Sequence, residues 1–368
     1  MRLGFLFVLC LAGCGSSAPK VASPTATSEP DPLAVGGDET CVRKGTTIEC
    51  HGRALALEQA EEAGARKFVL DFAQGARQIE IGDYHACAIT ASGGAVCWGY
   101  NAFGQLGNGT NEDRTAAAPV VGLTHVDGIA VGASHSCARL ASDVWCWGGN
   151  LQGQLGDGAD KDRFAPGKVL GGVRQLALGG WSSCVVKDDG AVLCWGDNAR
   201  GKVGDGTTAD RRVPTPVPGL LAAEVRVGEQ HVCARTTDGA VSCWGGNDHG
   251  QLGDGAKKDR PTPAKVTGLA GVVQLALGGA HTCALLADHT VRCFGQGNYG
   301  QLGDGGHADS ASPVTVSGLA DVVEIQAGDH HTCARLAKGG VRCWGKDDFG
   351  QLGDGGGANK GAPVVVLP

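Results

Sequence analysis

The chain has 368 residues, 42% of them hydrophobic but only 5% aromatic, with 63 Gly, 16 Cys and a net charge of −7. The apolar content excludes disorder over most of the length, and the Gly content suits many tight turns better than long helices. No basic run is present to grip phosphates, which argues against a nucleic-acid partner, and the Cys count argues against a reducing compartment.

Residues 1–14 read MRLGFLFVLCLAGC. Arg2 supplies a positive start, and Leu3 to Leu11 form an apolar stretch too short to span a bilayer. Leu11-Ala12-Gly13-Cys14 resembles the lipobox of bacterial lipoproteins. That resemblance implies cleavage after residue 13 and a diacylglycerol on the sulfur of Cys14. An ordinary signal peptide would export the chain equally. Gly15 rather than an acidic residue follows Cys14, which favours the outer membrane of the cell envelope. Residues 14–35 are rich in Ser, Ala, Pro and Thr. Twenty such residues make a flexible tether spanning roughly 25 Å root-mean-square.

From residue 36 to 368 the chain repeats. Seven Cys pairs set the ruler: Cys41/Cys50, Cys87/Cys97, Cys137/Cys146, Cys184/Cys194, Cys233/Cys243, Cys283/Cys293 and Cys333/Cys343. Gly stands five residues before each first Cys and two after each second. Six copies then carry a box such as GQLGDG at 153–158, 250–255, 300–305 and 350–355. Within one unit, VVQLALGG (272–279) is an apolar strand, HTCALL (281–286) and TVRCFG (290–295) form a hairpin, and PAKV (263–266) exemplifies a fourth strand after the box. Four short antiparallel strands recurring every fifty residues predict an all-β, seven-bladed propeller. The last repeat ends in a strand and the first starts near its hairpin, so the ring is expected to close by pairing of N- and C-terminal strands. The first repeat lacks the box; in its place RALALEQAEEAGAR (53–66) predicts a short helix, either a protruding recognition element or a cap on the seam.

The hairpin and box, as in HTCALLADHTVRCFG followed by GQLGDG, resemble the regulator of chromosome condensation repeat family over about residues 33–368. The resemblance implies the seven-bladed propeller, and it fits the exported variety with Cys at both hairpin positions. Nucleotide exchange on a small nuclear GTPase is the family's best-known activity, and export argues against it here. Exported propellers resembling this family include β-lactamase inhibitors, a precedent for binding that names no target here.

Residues recurring in every blade serve what every blade needs. Each Cys pair, nine or ten residues apart, falls opposite on a hairpin and is expected to form a disulfide; zinc ligands sit closer together in sequence. His85, His135, His231, His281 and His331 are expected to be buried and bonded to backbone. Trp98, Trp147, Trp195, Trp244 and Trp344, with Phe294 and His51 as variants, are expected to pack blade on blade. Asp157, Asp205, Asp254, Asp304 and Asp354 suit turns that bond their own backbone; residues 157–162 (DGADKD) come nearest a calcium loop but lack its spacing. No metal and no cofactor is therefore expected.

Function belongs where blades differ. Phe103, Gln152, Arg200, His249, Tyr299 and Phe349 precede the boxes, and Tyr100 and Lys346 lie two residues after the Trp; all are candidate binding residues on one face. The expectation is a monomeric, non-catalytic scaffold that binds a protein or glycan partner and meets the membrane through its lipid. The alternative is an exported hydrolase or lyase. It requires a non-repeating cluster of Asp, Glu, His or Lys at one mouth of the central channel, and none is visible in the sequence. A structure showing such a cluster would reverse the ranking of the two.

Overall fold

The structure, a computed structural model, describes residues 33–44, 47–53, 67–70 and 75–366. The lipobox with Cys14, the tether and all but Arg53 of the expected helix over 53–66 lie outside the described residues. Every regular element among the described residues is a strand, and the 28 strands form seven four-stranded antiparallel sheets. Blade 1 comprises Leu33–Gly36, Glu39–Lys44, Thr47–Gly52 and Lys67–Val69. Blades 2 to 7 begin at the inner strands Gln78–Ile81, Gly128–Val131, Val173–Gly179, Glu224–Val227, Val272–Leu277 and Val322–Ala327, and blade 7 ends at Lys360–Val365. The seven-bladed propeller is thus the fold.

The expected closure is not. Strands in every blade follow chain order, and each terminal strand pairs within its own blade: Leu33–Gly36 with Glu39–Lys44, and Lys360–Val365 with Val341–Gly345. The reason is that LAVG already supplies the inner strand of blade 1, and Lys67–Val69 replaces the strand that elsewhere follows the box. No strand is missing for the C-terminus to provide. The seam closes by packing instead, with Leu33 and Val42 of blade 1 in one apolar cluster with Val341, Leu352 and Val366 of blade 7.

Each blade carries one disulfide, and the pairs are those the spacing predicts. Blade 1 holds Cys41–Cys50, blade 2 Cys87–Cys97, blade 3 Cys137–Cys146 and blade 4 Cys184–Cys194. Blade 5 holds Cys233–Cys243, blade 6 Cys283–Cys293 and blade 7 Cys333–Cys343. In every case the two Cys are directly opposed across the hairpin, as Cys87 is to Cys97 and Cys333 to Cys343. Their Cα atoms lie 4.0–4.1 Å apart. The bridges lie buried inside the blades.

The recurring polar residues work between blades. Nε2 of His85, His135, His231 and His281 lies 2.6–2.9 Å from a hydroxyl of the following blade: Ser136, Ser183, Thr282 and Thr332. Each of those hydroxyls donates its proton to the carbonyl of a box Gln: Gln105, Gln154, Gln251 or Gln301. Its oxygen therefore accepts from imidazole N–H. The partner is a neighbouring blade's side chain rather than the backbone expected from sequence. The same Gln carbonyls accept the indole N–H of Trp147, Trp195 and Trp344 at 2.9 Å. Across the seam His331 meets Thr40 at 2.8 Å, so blade 7 grips blade 1 as blades 2, 3, 5 and 6 grip the blade after them.

Two interfaces lack this set: blade 1 has Glu39 and no box, with Ala86 at the hydroxyl position of blade 2, and a second interface changes all three partners together. Between blades 4 and 5, Ser182 replaces His, Val232 replaces the hydroxyl and Lys202 replaces Gln. Lys202, nearly inaccessible, donates to the Glu229 carbonyl at 2.9 Å and pairs with Asp197 at 2.8 Å.

Candidate functional site

The box holds up the variable residue beside it. The side-chain oxygen of Gln105 accepts the Phe103 N–H at 3.0 Å, and Gln154, Gln251, Gln301 and Gln351 do the same for Gln152, His249, Tyr299 and Phe349. With its backbone fixed, the side chain is presented to the face where the box loops meet the loops that follow the inner strands.

On that face lies a cleft of ≈ 1100 Å³ centred on blades 2 and 3 and bounded by Trp181 of blade 4. Its walls include Tyr84, Tyr100, Phe103, Leu151, Gln152 and Trp181. Tyr100 sits between Tyr84 and Phe103, with ring centroids 6.3 and 6.1 Å away. Leu151 is 72% exposed, Tyr84 53% and Trp181 45%, an unusual amount of apolar surface left in water. The rim is charged, with Asp83, Asp113, Asp160 and Asp162 against Arg53, Arg114 and Lys161.

The structure therefore brings Tyr100, Phe103 and Gln152 together. Tyr299, Lys346 and Phe349 form a second group nearer the seam, with the Lys346 ammonium 5.9 Å from the Tyr299 ring centre and 5.2 Å from that of Phe349. Lys346 also bonds Asp38 of blade 1 at 3.3 Å. Arg200 and His249 are struts to the next blade: Arg200 holds Asp248 and Asp259 at 2.6 and 2.8 Å, and His249 holds Asp309 at 2.9 Å.

The central channel, ≈ 760 Å³, is lined by the inner strands. Gln78, Gln175 and Gln274 each bond the N–H and C=O of one residue on the next inner strand, at Ile129, Val225 and Ile325. A side-chain amide thus occupies an otherwise bare strand edge. At the cleft end of the channel, Asp83, Glu229 and Asp329 follow the repeat glycines Gly82, Gly228 and Gly328, and with Asp38 they line a recess of ≈ 160 Å³. Burial first, then Glu229 and Asp38, push Asp83 up to about 6. Burial and the neighbouring Asp83, Glu229 and Asp38 carboxylates likewise raise Asp329.

Asp83, Glu229 and Asp329 hold the same place in three repeats, directly after the Gly, so this acidic mouth meets the condition for the enzyme alternative only in part. Neither these carboxylates nor Tyr84, Leu151 and Trp181 are among the binding residues expected from the sequence. Their signal was available: the two residues after each repeat Gly vary from blade to blade, as in Asp83-Tyr84, Gly180-Trp181 and Asp329-His330.

The carboxylates of residues 157–162 are each engaged separately. Asp157 accepts from Ala159 N and Asn150 Nδ2 at 3.0 Å, Asp160 pairs with Arg212 at 3.0 Å, and Asp162 accepts Asn150 N at 2.9 Å. The other turn Asp residues accept the N–H two residues on, as the turn reading expects.

Comparison with known proteins agrees with this architecture. The family model described as RCC1-like domain matches residues 55–284, and the regulator of chromosome condensation (RCC1) repeat matches 288–335, 272–301 and 322–351. A search of the curated proteins finds no match. Among solved structures, one chain of Kap60 bound to yeast RCC1 (Prp20) is 20% identical with a TM-score of 0.76, covering 97% of this chain and 91% of its own. Human WBSCR16 is 23% identical with a TM-score of 0.77, covering 89% and 94%. Prp20p from Saccharomyces cerevisiae, whose binding to Gsp1p and histones was studied, is 21% identical with a TM-score of 0.75, covering 92% and 86%. Repeat signature, disulfide-stitched blades and the matched residues converge: the chain belongs to the RCC1-like domain family of β-propellers.

Proposed function

We propose that this protein is a non-catalytic, lipid-anchored scaffold of the bacterial cell envelope that engages a protein or glycan partner through the face carrying the aromatic cleft. The observation that carries the reading is the contiguous row Tyr84, Tyr100 and Phe103 with Leu151 and Trp181, all held open to solvent by a rigid ring. Exposed aromatics anchor protein partners and stack equally well on sugar rings. Yeast RCC1, a propeller of similar fold, is itself found bound to Kap60. The leader sequence ending at Cys14 supports export and tethering.

The test uses envelope cross-linking and a glycan array with the full chain and a Tyr100→Ala/Phe103→Ala variant. The variant keeps its thermal midpoint and loses at least tenfold of the captured partner or glycan signal. Undiminished capture would place binding elsewhere.

The acidic mouth favours a second reading, hydrolysis or elimination at the channel. It ranks second because paired acid and base need pKa values driven apart, whereas both resolved shifts here go upward. The recess is also too small for a substrate without the neighbouring cleft. Turnover of an envelope polymer, abolished by Asp83→Asn or Asp329→Asn, would make this reading the leading one.

A further inference from the structure

In blades 2 to 5 the loop around the box begins with a buried Asn: Asn101, Asn150, Asn198 and Asn247. Its Oδ1 accepts the N–H five residues on, at 2.8–3.0 Å. Its Nδ2 faces oxygen only. In blades 2, 4 and 5 it donates to the main-chain carbonyls nine and eleven residues on: Thr110 and Glu112, Thr207 and Ala209, Ala256 and Lys258, at 2.9–3.2 Å. In blades 3 and 5 it donates to the turn carboxylates of Asp157 and Asp254 at 3.0 and 3.2 Å. That pocket of oxygens is built around a positive –NH₂ edge.

Blade 7 keeps the loop and changes the residue. Asp347 stands in the Asn place, and its Oδ1 still accepts Leu352 N at 2.9 Å. Its own N–H still bonds the residue twelve on at 2.9 Å, now Asn359 where blades 2 to 5 have Asp. Oδ2 of Asp347 therefore occupies the position of the amide –NH₂ with no proton to give. Asp347 is wholly inaccessible, and this oxygen has no hydrogen-bond partner. It faces Asp354, whose Oδ1 already accepts the Gly356 N–H at 2.8 Å and whose Oδ2 takes Lys360 at 3.2 Å. By position the two facing carbonyls are those of Gly356 and Ala358. Beside the Asp354 carboxylate, an ionised Asp347 has no donor facing its buried Oδ2.

We propose that the blade 7 box loop is a binding site for a hard divalent cation, calcium by its chemistry, held by Oδ2 of Asp347, Oδ1 of Asp354 and the carbonyls of Gly356 and Ala358. The donor set is all oxygen, half carboxylate and half carbonyl, and water completes the shell. Calcium accepts six to eight such ligands in loose geometry, whereas magnesium demands a near-ideal octahedron. The exchange of Asn and Asp between positions 347 and 359 moves the negative charge from the loop's outer bond to its buried centre, where an ion rather than an N–H must answer it. Only two carboxylates, one shared with Lys360, put the affinity at the weak end, about 10⁻⁴–10⁻³ M, as in modules that work in millimolar calcium.

Calcium chloride titrated into the EGTA-treated full chain should give saturable heat in that range. It should raise the thermal midpoint by a few degrees at 10 mM, and magnesium chloride should raise it less. Asp347→Asn restores the residue of blades 2 to 5. That variant should fold with an unchanged or higher midpoint in EGTA and lose the calcium shift. Absence of a calcium shift in the natural chain, or an equal shift in Asp347→Asn, overturns the proposal. A midpoint that responds to pH near 6 but not to calcium overturns it too, by making a proton the occupant.

Discussion

The imidazoles between blades show how one buried residue couples the ring to pH. Burial alone lowers His85 to about 3, and burial leads the shifts of His135, His231 and His281 to about 3 and of His331 to about 4. The unfolded chain protonates these groups near 6.5, so from there down to about 3 it holds protons that the folded chain refuses. Stability therefore rises with pH across that window, by about 1.4 kcal/mol per unit for each imidazole fully protonated when unfolded. Asp83 and Asp347, raised to about 6, act in the opposite sense between about 6 and 3.8, but they are outnumbered. Thermal scans from pH 7.5 to pH 4 should show the midpoint falling steeply below pH 6; a flat profile would contradict neutral buried histidines. Glycine is equally specific at this scale. Gly303 has φ +70°, and an added Cβ would lie 2.7 Å from Nε1 of Trp344 in the next blade. Gly303→Ala should cost about 2–4 kcal/mol from left-handed strain and overpacking, read from the denaturant midpoint.

Each blade is a four-stranded sheet too small to bury both of its own faces, and its hairpin is stitched by a disulfide at the centre. Closing a loop of about eleven residues contributes roughly 2–3 kcal/mol by chain entropy, and less if the hairpin persists when unfolded. Replacing Cys283 and Cys293 together by Ala should therefore lower stability by about 1–3 kcal/mol without opening the ring, measured by denaturant unfolding under non-reducing conditions. A much larger loss would mean that the bridge organises the blade rather than restraining it. The side-by-side packing of blades matters as much. The box presents one Gln carbonyl to both the indole and the hydroxyl of the following blade, so a single loop fixes spacing and rotation together.

At the scale of the whole ring, the seam is chemically ordinary. Thr40 receives His331 as Thr282 receives His231, and Asp329 N donates to the Gly37 carbonyl at 3.0 Å as Gly279 N donates to the Asp329 carbonyl at 3.0 Å. Thr40→Val and Thr282→Val should each cost about 1–3 kcal/mol, because each orphans a buried imidazole N–H. The two costs should agree within about 0.5 kcal/mol. A far greater loss at Thr40 would mark the seam as a special lock. The closed ring also sets where chemistry can gather: loops from separate blades converge at the channel mouth, over the cleft and at the Tyr299–Lys346–Phe349 group.

Blade number, strand order within a unit, disulfide pairing and the packing role of the Trp series were all legible in the sequence. They depend on local spacing repeated seven times, and cross-strand pairing on a hairpin, such as Cys184 with Cys194 or Cys233 with Cys243, follows from its turn. Spacings of both nine and ten serve, because Cys137–Cys146 closes over a turn one residue shorter than that of Cys87–Cys97. The exchange of His, hydroxyl and Gln for Ser182, Val232 and Lys202 could be seen only as three unrelated irregularities. Closure differs from the expectation because a four-residue strand, LAVG, is short enough to pass for the lead-in to the hairpin, yet it pairs as the inner strand of blade 1. Only the tertiary structure decided that Asp38, Asp83, Glu229 and Asp329 meet at one mouth, that Tyr84 and Trp181 join Tyr100 and Phe103, and that Arg200 and His249 are struts. Those residues come from different blades, and their proximity is created by the rotation of the ring, a distance that no spacing along the chain encodes.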